Sequence, residues 1–130
     1  MAFDSIQVRF KNIPKHLESP FANTQVVPFV NSYFEILKSV VDDIKTEYFW
    51  FFANFINLKT AEFLDYIPEQ HEKDQIHVWY ATHPKTGLNK EGNVMLIPTQ
   101  KFKEQMHGLK FLRDYKDINY HADPKLFQQP

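Results

Sequence analysis

The pattern of apolar and polar positions centres on residues 47–58, EYFWFFANFINL. This stretch is rich in aromatic residues and contains no Gly, Pro or Asp. A continuous apolar run between polar segments is typical of a strand that is buried on both faces. We therefore expect a central buried strand whose carboxyl end points towards whatever site the protein has.

An amphipathic helix is predicted just before this strand. Ser32 and Glu35 have the spacing of a capping box, which marks a helix amino terminus. Apolar residues follow at positions 33, 36, 37, 40, 41 and 44, and the helix is expected to end near residue 45. A short strand at 24–30 precedes the helix, and Pro28 places that strand at a sheet edge. Strand, helix and buried strand together predict a right-handed βαβ unit.

The remaining segments supply further short elements. Alternation over residues 3–10 predicts a half-buried strand, and the proline-containing segment 11–23 predicts a loop. Beyond the central strand the pattern predicts a helical turn at 59–64, a loop at 69–75, strands at 76–81, 93–97 and 118–121, a turn at 83–92, and a helix at 100–107 that Thr99 caps and Gly108 ends. Together these elements predict a single α/β domain, residues 1–130, with a mixed sheet flanked by helices.

Composition narrows the classes of function. Of the 130 residues 43% are apolar and 16% aromatic, which indicates a packed core. The absence of Cys excludes disulfides, a thiol nucleophile and a cysteine-based zinc site. Net charge is −1 and the basic residues are scattered, so no nucleic-acid surface is predicted. No uncharged run reaches about 18 residues and no signal peptide is recognisable, so we expect a protein of the cytoplasm.

Motifs with a known chemistry are mostly absent. Three glycines, at 87, 92 and 108, cannot form a glycine-rich phosphate loop. His71, Glu72 and Asp74 could group around a metal ion, but a solvated loop explains them more simply, and no metal site is predicted.

The other histidines and acids give weak candidates. His77 alternates with apolar neighbours on its strand, which favours a hydrogen-bonded structural histidine. His83, Lys85 and Lys90 could meet an anionic ligand, although a polar hairpin is the simpler explanation. His121 ends the last predicted strand, where either a metal or phosphate contact or an ordinary polar strand end fits. Asp114 lies in the segment RDYKD, for which a turn neutralised by its basic neighbours is the simpler interpretation.

Four segments in order resemble a known family. They are TEYFW at 46–50, FLDYIP at 63–68, HVW at 77–79 and GNVMLIP at 92–98. Their order and spacing resemble a GT-A-like glycosyltransferase domain carried by tailed bacteriophages and related viruses. The likeness runs from about residue 24 to residue 126, and residues 1–23 are divergent or shortened. It implies a Rossmann-like, GT-A-like fold.

The resemblance also identifies a missing motif. In such domains the strand that matches residues 48–52 runs into Asp-x-Asp, whose carboxylates hold a divalent cation against the diphosphate of a sugar nucleotide. The matching positions here are Ala53, Asn54 and Phe55. Asn54 and Asn57 offer only neutral oxygens as candidate ligand contacts, a poor substitute for two anions. Neither a metal nor another cofactor is therefore expected.

Three functions follow from different classes. The first is a catalytically degenerate glycosyltransferase-like domain that acts as a binding or assembly module, in the host cytoplasm or the virion if viral. The second is an active, metal-independent glycosyltransferase that uses a nucleotide sugar. Its base would come from Asp65, Asp114 or His121, and its phosphate contacts from Lys85 or Lys90. The third is a viral structural or host-factor-inhibiting protein, whose partner is another protein or a second copy of the chain.

Overall fold

The computed structural model describes residues 3–9, 24–53, 57–58, 66–82, 89–121 and 127–128. Its main sheet has six strands in the spatial order β2-β1-β3-β6-β5-β7, with the two-residue strands β8 and β4 following at the carboxyl end of β5. The elements are β1 (Asp4–Arg9), β2 (Thr24–Pro28), α1 (Tyr33–Val40), β3 (Tyr48–Ala53), β4 (Asn57–Leu58), β5 (Ile76–Thr82), β6 (Asn89–Pro98), α2 (Thr99–Met106), β7 (Ile118–His121) and β8 (Phe127–Gln128).

Strand direction makes the sheet mixed. β2 and β3 pair in parallel with β1, β6 is antiparallel to both β3 and β5, and β7 is parallel to β5. Of the six main strands, β6 is thus the one that runs against the others. The carboxyl ends of β1, β3, β5 and β7 consequently meet at one end of the sheet. The predicted α/β architecture with a mixed sheet is confirmed.

The predicted central strand is present as β3, which lies between β1 and β6. Phe49 and Phe51 point into the core beneath the helices, while Trp50 and Phe52 are equally buried on the other face. Fully burying one such ring is worth roughly 1.5–3 kcal/mol. The predicted run to residue 58 is divided, since 57–58 form β4 and 54–56 lie outside the described residues.

The expectation that the first strand is half-buried is wrong. In β1, Ser5 and Gln7 are as inaccessible as Ile6 and Val8 on the opposite face. Two-residue alternation assigns polar residues to the solvent side, but here the second face of the sheet is covered as well. The predictions of strands at 76–81, 93–97 and 118–121 are confirmed, and β6 begins earlier than predicted, at Asn89.

Helix α1 packs on one face of the sheet and begins at the predicted cap. The hydroxyl of Ser32 accepts a hydrogen bond from the backbone N–H of Glu35 at 3.2 Å. The helix buries Phe34, Ile36, Leu37 and Val40, then tightens into a 3₁₀ turn at Val41–Asp43, so it ends before residue 45. It connects β2 with β3, and β1 lies between those two strands. The predicted edge position of β2 is confirmed.

Helix α2 lies on the same face as α1, with Phe102 against Phe34 at 6.3 Å between ring centroids. The prediction that Thr99 caps this helix is wrong. Thr99 is its first helical residue, and its hydroxyl donates to the backbone carbonyl of Thr46 at 2.9 Å. Among the described residues no helix combines the length and apolar character that crossing a bilayer requires. The predicted features at 11–23, 59–64 and 83–88 lie outside the described residues.

Candidate ligand site

The structure describes some of the predicted site residues and not others. Asn54, Asp65, His83 and Lys85 lie outside the described residues. Two further candidates fall on strands: Asn57 on β4, opposite Gln128, and Lys90 on β6, opposite Ala81. Position 90 was predicted to lie in a turn, and it forms part of the sheet because β6 begins at Asn89.

Asp114 and His121 have different surroundings. Asp114 is exposed, and its carboxylate accepts a hydrogen bond from the backbone N–H of Phe111 at 3.1 Å within its own 3₁₀ turn, Leu112–Asp114. That contact closes a turn, as the sequence suggested. His121 instead stacks on the ring of Trp79, and its Nε2 lies within hydrogen-bond distance of His77.

The register in which β5 pairs with β7 brings His121 beside residues of β5 on the sheet face opposite α1 and α2. In β5, His77 and Trp79 point away from the core face, and β7 pairs in parallel so that Asn119 lies beside His77 and His121 beside Trp79. Tyr66 approaches from the segment before β5. We call Tyr66, His77, Trp79 and His121 the histidine–aromatic cluster.

Aromatic contacts fix the rings of the cluster. Trp79 stacks on His121 with 4.4 Å between centroids and 10° between planes. Tyr66 meets Trp79 and His121 edge-on at 5.3 and 5.8 Å. Trp79 is only 3% exposed and His77 is fully buried, whereas Tyr66 and His121 are each partly accessible. Geometries of this kind are worth about 0.5–1.5 kcal/mol per pair beyond area burial.

Two histidine nitrogens form the shortest polar contact of the cluster. Nδ1 of His77 lies 2.8 Å from Nε2 of His121, and Nε2 of His77 lies 3.2 Å from the backbone carbonyl of Glu72. The hydroxyl of Tyr66 is 3.5 Å from the same Nδ1, at the outer limit of a hydrogen bond. The predicted hydrogen bonding of His77 is confirmed, and the ring is also fully buried.

These contacts determine the positions of the ring protons. A carbonyl can only accept, so Nε2 of His77 must carry a hydrogen. Neutral His77 then accepts at Nδ1 from the Nε2–H of His121. Neutral His121 therefore keeps its lone pair on Nδ1, for which the described residues provide no hydrogen-bond partner.

Burial favours the neutral form of both imidazoles. It lowers the pKa of His77, and the Glu72 carbonyl together with the charges of Glu72 and Asp117 opposes this only in part. Burial also lowers the pKa of His121, the charge of His77 lowers it further, and Glu72 opposes the shift. Protonating both rings would set two N–H donors against each other across the 2.8 Å contact.

Carboxylates surround the cluster. Burial raises the pKa of Tyr66, and the charges of Glu72 and Glu69 raise it further. The Glu72 carboxylate also accepts a hydrogen bond of 2.8 Å from the side-chain amide of Asn119, which in turn donates to Gln75 at 3.0 Å. Apart from the histidines themselves, the charges that act on the cluster within the described part of the chain are all negative.

A group with metal-type donor atoms adjoins the cluster through Glu72. Glu69, His71 and Glu72 offer ligand atoms within 4.8 Å of one another, the first two on exposed side chains. The segment that follows contacts the start of β3, since the Tyr48 hydroxyl donates to the carbonyl of Lys73 at 2.8 Å. Exposed acidic groups of this kind are common without an ion, and Glu72 already binds Asn119.

Comparison with known proteins adds no family assignment. No protein-family model matches the chain, and a search of curated proteins finds no significant match.

Sequence reasoning named His77 and His121 as residues of interest and did not name Tyr66 or Trp79. The spacing of His77 and Trp79, two residues apart on one strand, is a signal that could have placed them on one face. That β7 pairs with β5 in a register that stacks His121 on Trp79 is a long-range property with no local signal. Tyr66 belongs to FLDYIP, and nothing in that motif indicates its contact with His77.

Proposed function

We propose that the chain is a glycosyltransferase-like domain that has lost metal-dependent transfer and acts as a binding or assembly module. The observation that carries the proposal is the carboxyl end of β3. This strand occupies the centre of the sheet, where the resemblance to the viral glycosyltransferase domains requires the metal-binding carboxylates. It ends at Ala53, and the next residues in the sequence are Asn54 and Phe55.

The arrangement of other donor groups supports the same conclusion. A cation that neutralises a diphosphate needs anionic oxygen ligands beside the ligand. Within the described residues, Glu69, His71 and Glu72 form the group that could supply them. The Glu72 carboxylate of this group already accepts a hydrogen bond from Asn119 at 2.8 Å. None of the three residues occupies the positions directly after β3, where the resemblance requires the Asp-x-Asp carboxylates.

Retained architecture supports a binding role. In an open α/β sheet, ligands bind outside the carboxyl ends of the strands. His121 ends β7, and Tyr66 and Trp79 surround it with rings that are held in place by mutual contacts. A module can thus keep a rigid ligand-binding surface at this end of the sheet after its transfer chemistry is lost.

Assembly is supported by the opposite edge. Val26 and Val30 on and after the edge strand β2 are 51% and 53% exposed, and Phe29 lies between them at 37%. An exposed apolar edge of this kind is suited to a protein partner or a second copy.

A metal-independent glycosyltransferase is the second candidate, and the lone pair on Nδ1 of His121 favours it. Such an enzyme would need a base near the carboxyl end of the strands, and in the neutral histidine pair the hydrogen bond to His77 leaves the lone pair on that nitrogen. It would also need cationic groups that receive the diphosphate. Among the described residues, the charges that act on His121 are those of His77 and of the Glu72 carboxylate, and the carboxylate favours the binding module.

Calorimetry with a panel of nucleotide sugars, each titrated with and without Mn²⁺, tests the proposal. We expect no heat of binding that depends on Mn²⁺, because Ala53, Asn54 and Phe55 stand in the sequence where the resemblance requires the two carboxylates. Binding that Mn²⁺ strengthens about tenfold or more would contradict the loss of metal-dependent chemistry. Metal-independent binding accompanied by slow hydrolysis of the sugar nucleotide would favour the second candidate.

A further inference from the structure

The outer edge of β2 is the side of that strand that faces away from β1. Along a strand, the backbone N–H and C=O groups of successive residues point alternately to its two edges. The N–H of Phe29 donates to the carbonyl of Arg9 at 3.0 Å, and Arg9 pairs with Pro28. Residues 25, 27 and 29 therefore direct their backbone groups towards β1, whereas residues 24, 26 and 28 direct theirs outwards.

Val26 and Pro28 determine what this outer edge offers to another strand. Val26 presents both an N–H and a C=O, and its side chain is 51% exposed. Pro28 presents only a carbonyl, because its ring nitrogen carries no hydrogen. Within the described part of the chain β2 pairs with β1 alone, so no described strand covers this edge. Backbone groups exposed in this way are a template for one further strand.

The edge carries no charge that would repel an incoming strand. No Asp, Glu, Lys, Arg or His occurs in the sequence between Glu18 and Glu35, so β2 and the segments on both sides of it are uncharged. Edge strands that remain unpaired usually carry a Lys or another charge. The whole chain has a net charge of −1, so two copies repel each other only weakly. A second copy therefore supplies an edge of matching character.

We propose that β2 pairs with β2 of a second copy in antiparallel orientation, about a two-fold axis at Val26. Each Val26 N–H then donates to the Val26 carbonyl of the other copy, and Pro28 lies opposite Thr24. An isologous interface requires a surface that is complementary to itself, and the donor and acceptor of Val26 satisfy this requirement. The inference rests on the proposed function, since it names the partner of the assembly module.

A groove beside the same edge receives side chains of the second strand. It has a volume of about 520 Å³, lies between β2 and α1, and has an apolar lining of Val27, Val30, Ile36 and Val40. Val27 and Gln25 share the helix-bearing face of the sheet with Val8 and Ile6. In the pairing about Val26, Val27 of the second copy lies beside Gln25 on that face and extends the apolar lining.

The charged residues of the groove belong to α1 and the turn that follows it. Glu35 and Asp43 line the groove, and both side chains are exposed. Lys38 pairs with Glu35 at 3.0 Å. An uncharged strand can therefore enter the groove while these carboxylates keep their contact with water, which again favours β2 of a second copy over a charged segment.

Sedimentation equilibrium of the full chain over a range of concentrations tests the inference. We expect a reversible monomer–dimer equilibrium with a Kd below about 1 mM. Amide hydrogen exchange of the ¹⁵N-labelled chain then locates the interface. The Val26 amide should become protected as the concentration rises, whereas the Val27 amide, which faces β1, should be protected at every concentration. A chain that stays monomeric up to about 1 mM, or a dimer whose Val26 amide exchanges as fast as in the monomer, would overturn the inference.

Variants test the backbone and the charge of the edge separately. Val26→Pro removes the outward N–H and no hydrogen bond to β1, so it should raise the Kd of the dimer about tenfold or more. Val26→Lys changes only an exposed side chain and should have the same effect, because it sets like charges opposite each other. The circular dichroism spectrum of the monomer should not change. If Val26→Pro fails to fold, Val26→Lys still decides.

Tyr120→Lys is the matched control. Tyr120 lies on β7, on the other side of the sheet, and its side chain is 48% exposed, so this variant adds the same charge at a similar position. It should leave the Kd of the dimer unchanged. If Tyr120→Lys weakens the dimer as much as Val26→Lys does, the interface does not lie at β2 and the inference fails.

The outcomes distinguish this inference from the proposed function. If the chain stays monomeric while nucleotide sugars show no Mn²⁺-dependent binding, the pairing of β2 is refuted and the loss of metal chemistry stands. If Mn²⁺ strengthens nucleotide-sugar binding, the proposed function fails whatever the mass in solution.

Discussion

His77 and His121 share one hydrogen bond but differ in their access to solvent. His77 is fully enclosed between Trp79, Tyr66 and the Glu72 carbonyl, while part of His121 is accessible. Both burial and the contact between them favour the neutral forms. A single added proton would go to Nδ1 of His121, because that position leaves the 2.8 Å hydrogen bond intact.

The free energy of unfolding should therefore depend on pH through these two rings. Their pKa values are lowered in the folded state from an ordinary value of 6.5, so the unfolded chain binds more protons. Stability from this source is fully present above that value and is lost as pH falls below it towards the folded-state pKa. Glu72 and Asp117, the charged groups that face the pair, oppose the effect without reversing it for either ring.

Urea unfolding between about pH 7.5 and about pH 5.5 measures this dependence. The wild-type chain should lose stability over that interval, and His77→Gln should lose less, because one buried imidazole has been removed. His107→Ala, which removes an exposed histidine, is the matched control and should keep the wild-type slope. Identical slopes in all three proteins would contradict the assignment of the pH dependence to the buried pair.

At the scale of the elements, one threonine joins three of them. The Thr46 hydroxyl accepts from the backbone N–H of Asp4 at 2.9 Å and donates to the carbonyl of Tyr48 at 2.6 Å. Its own carbonyl accepts from the hydroxyl of Thr99. The carboxylate of Asp4 accepts a hydrogen bond from the backbone N–H of Lys45 at 2.8 Å. The start of β3 is thereby tied both to β1 and to α2.

Removing the Thr46 hydroxyl should destabilise the protein by about 1–3 kcal/mol, the cost of leaving a partly buried backbone N–H unsatisfied. Thr46→Val tests this with little change in shape, and Thr46→Ser keeps the hydroxyl as a control. Urea unfolding of the two variants should differ by about 1 kcal/mol or more. If Thr46→Val and Thr46→Ser lower the free energy of unfolding equally, the Thr46 hydroxyl does not stabilise the contact between β1 and β3.

The local sequence pattern predicted an element well where a signal within that element determines its structure. The start of α1 at the Ser32 cap, the buried run of β3 and the edge position of β2 follow from capping geometry, apolar continuity and Pro28. The pattern failed where tertiary contacts override it. Thr99 binds a distant carbonyl instead of capping its helix, and Ser5 and Gln7 are buried because the second sheet face is covered.

At the scale of the whole molecule, the candidate site depends on strand pairing that the sequence does not encode locally. His77 and His121 are 44 positions apart, and the parallel pairing of β5 with β7 brings them together. The resemblance proposed from the sequence concerns a different place, the carboxyl end of β3, where the sequence has Ala53, Asn54 and Phe55 and no carboxylate.

The paramagnetism of Mn²⁺ allows the most direct test of the central claim, that this scaffold no longer holds a metal-bound sugar nucleotide. Amide spectra of the ¹⁵N-labelled chain would be recorded with a uridine diphosphate sugar before and after Mn²⁺ is added, since bound Mn²⁺ broadens the resonances of nearby amides. We predict no selective broadening at the carboxyl end of β3, including Phe52 and Ala53, beyond that seen with Mn²⁺ alone. Selective loss of those resonances only when nucleotide sugar and Mn²⁺ are both present would contradict the account.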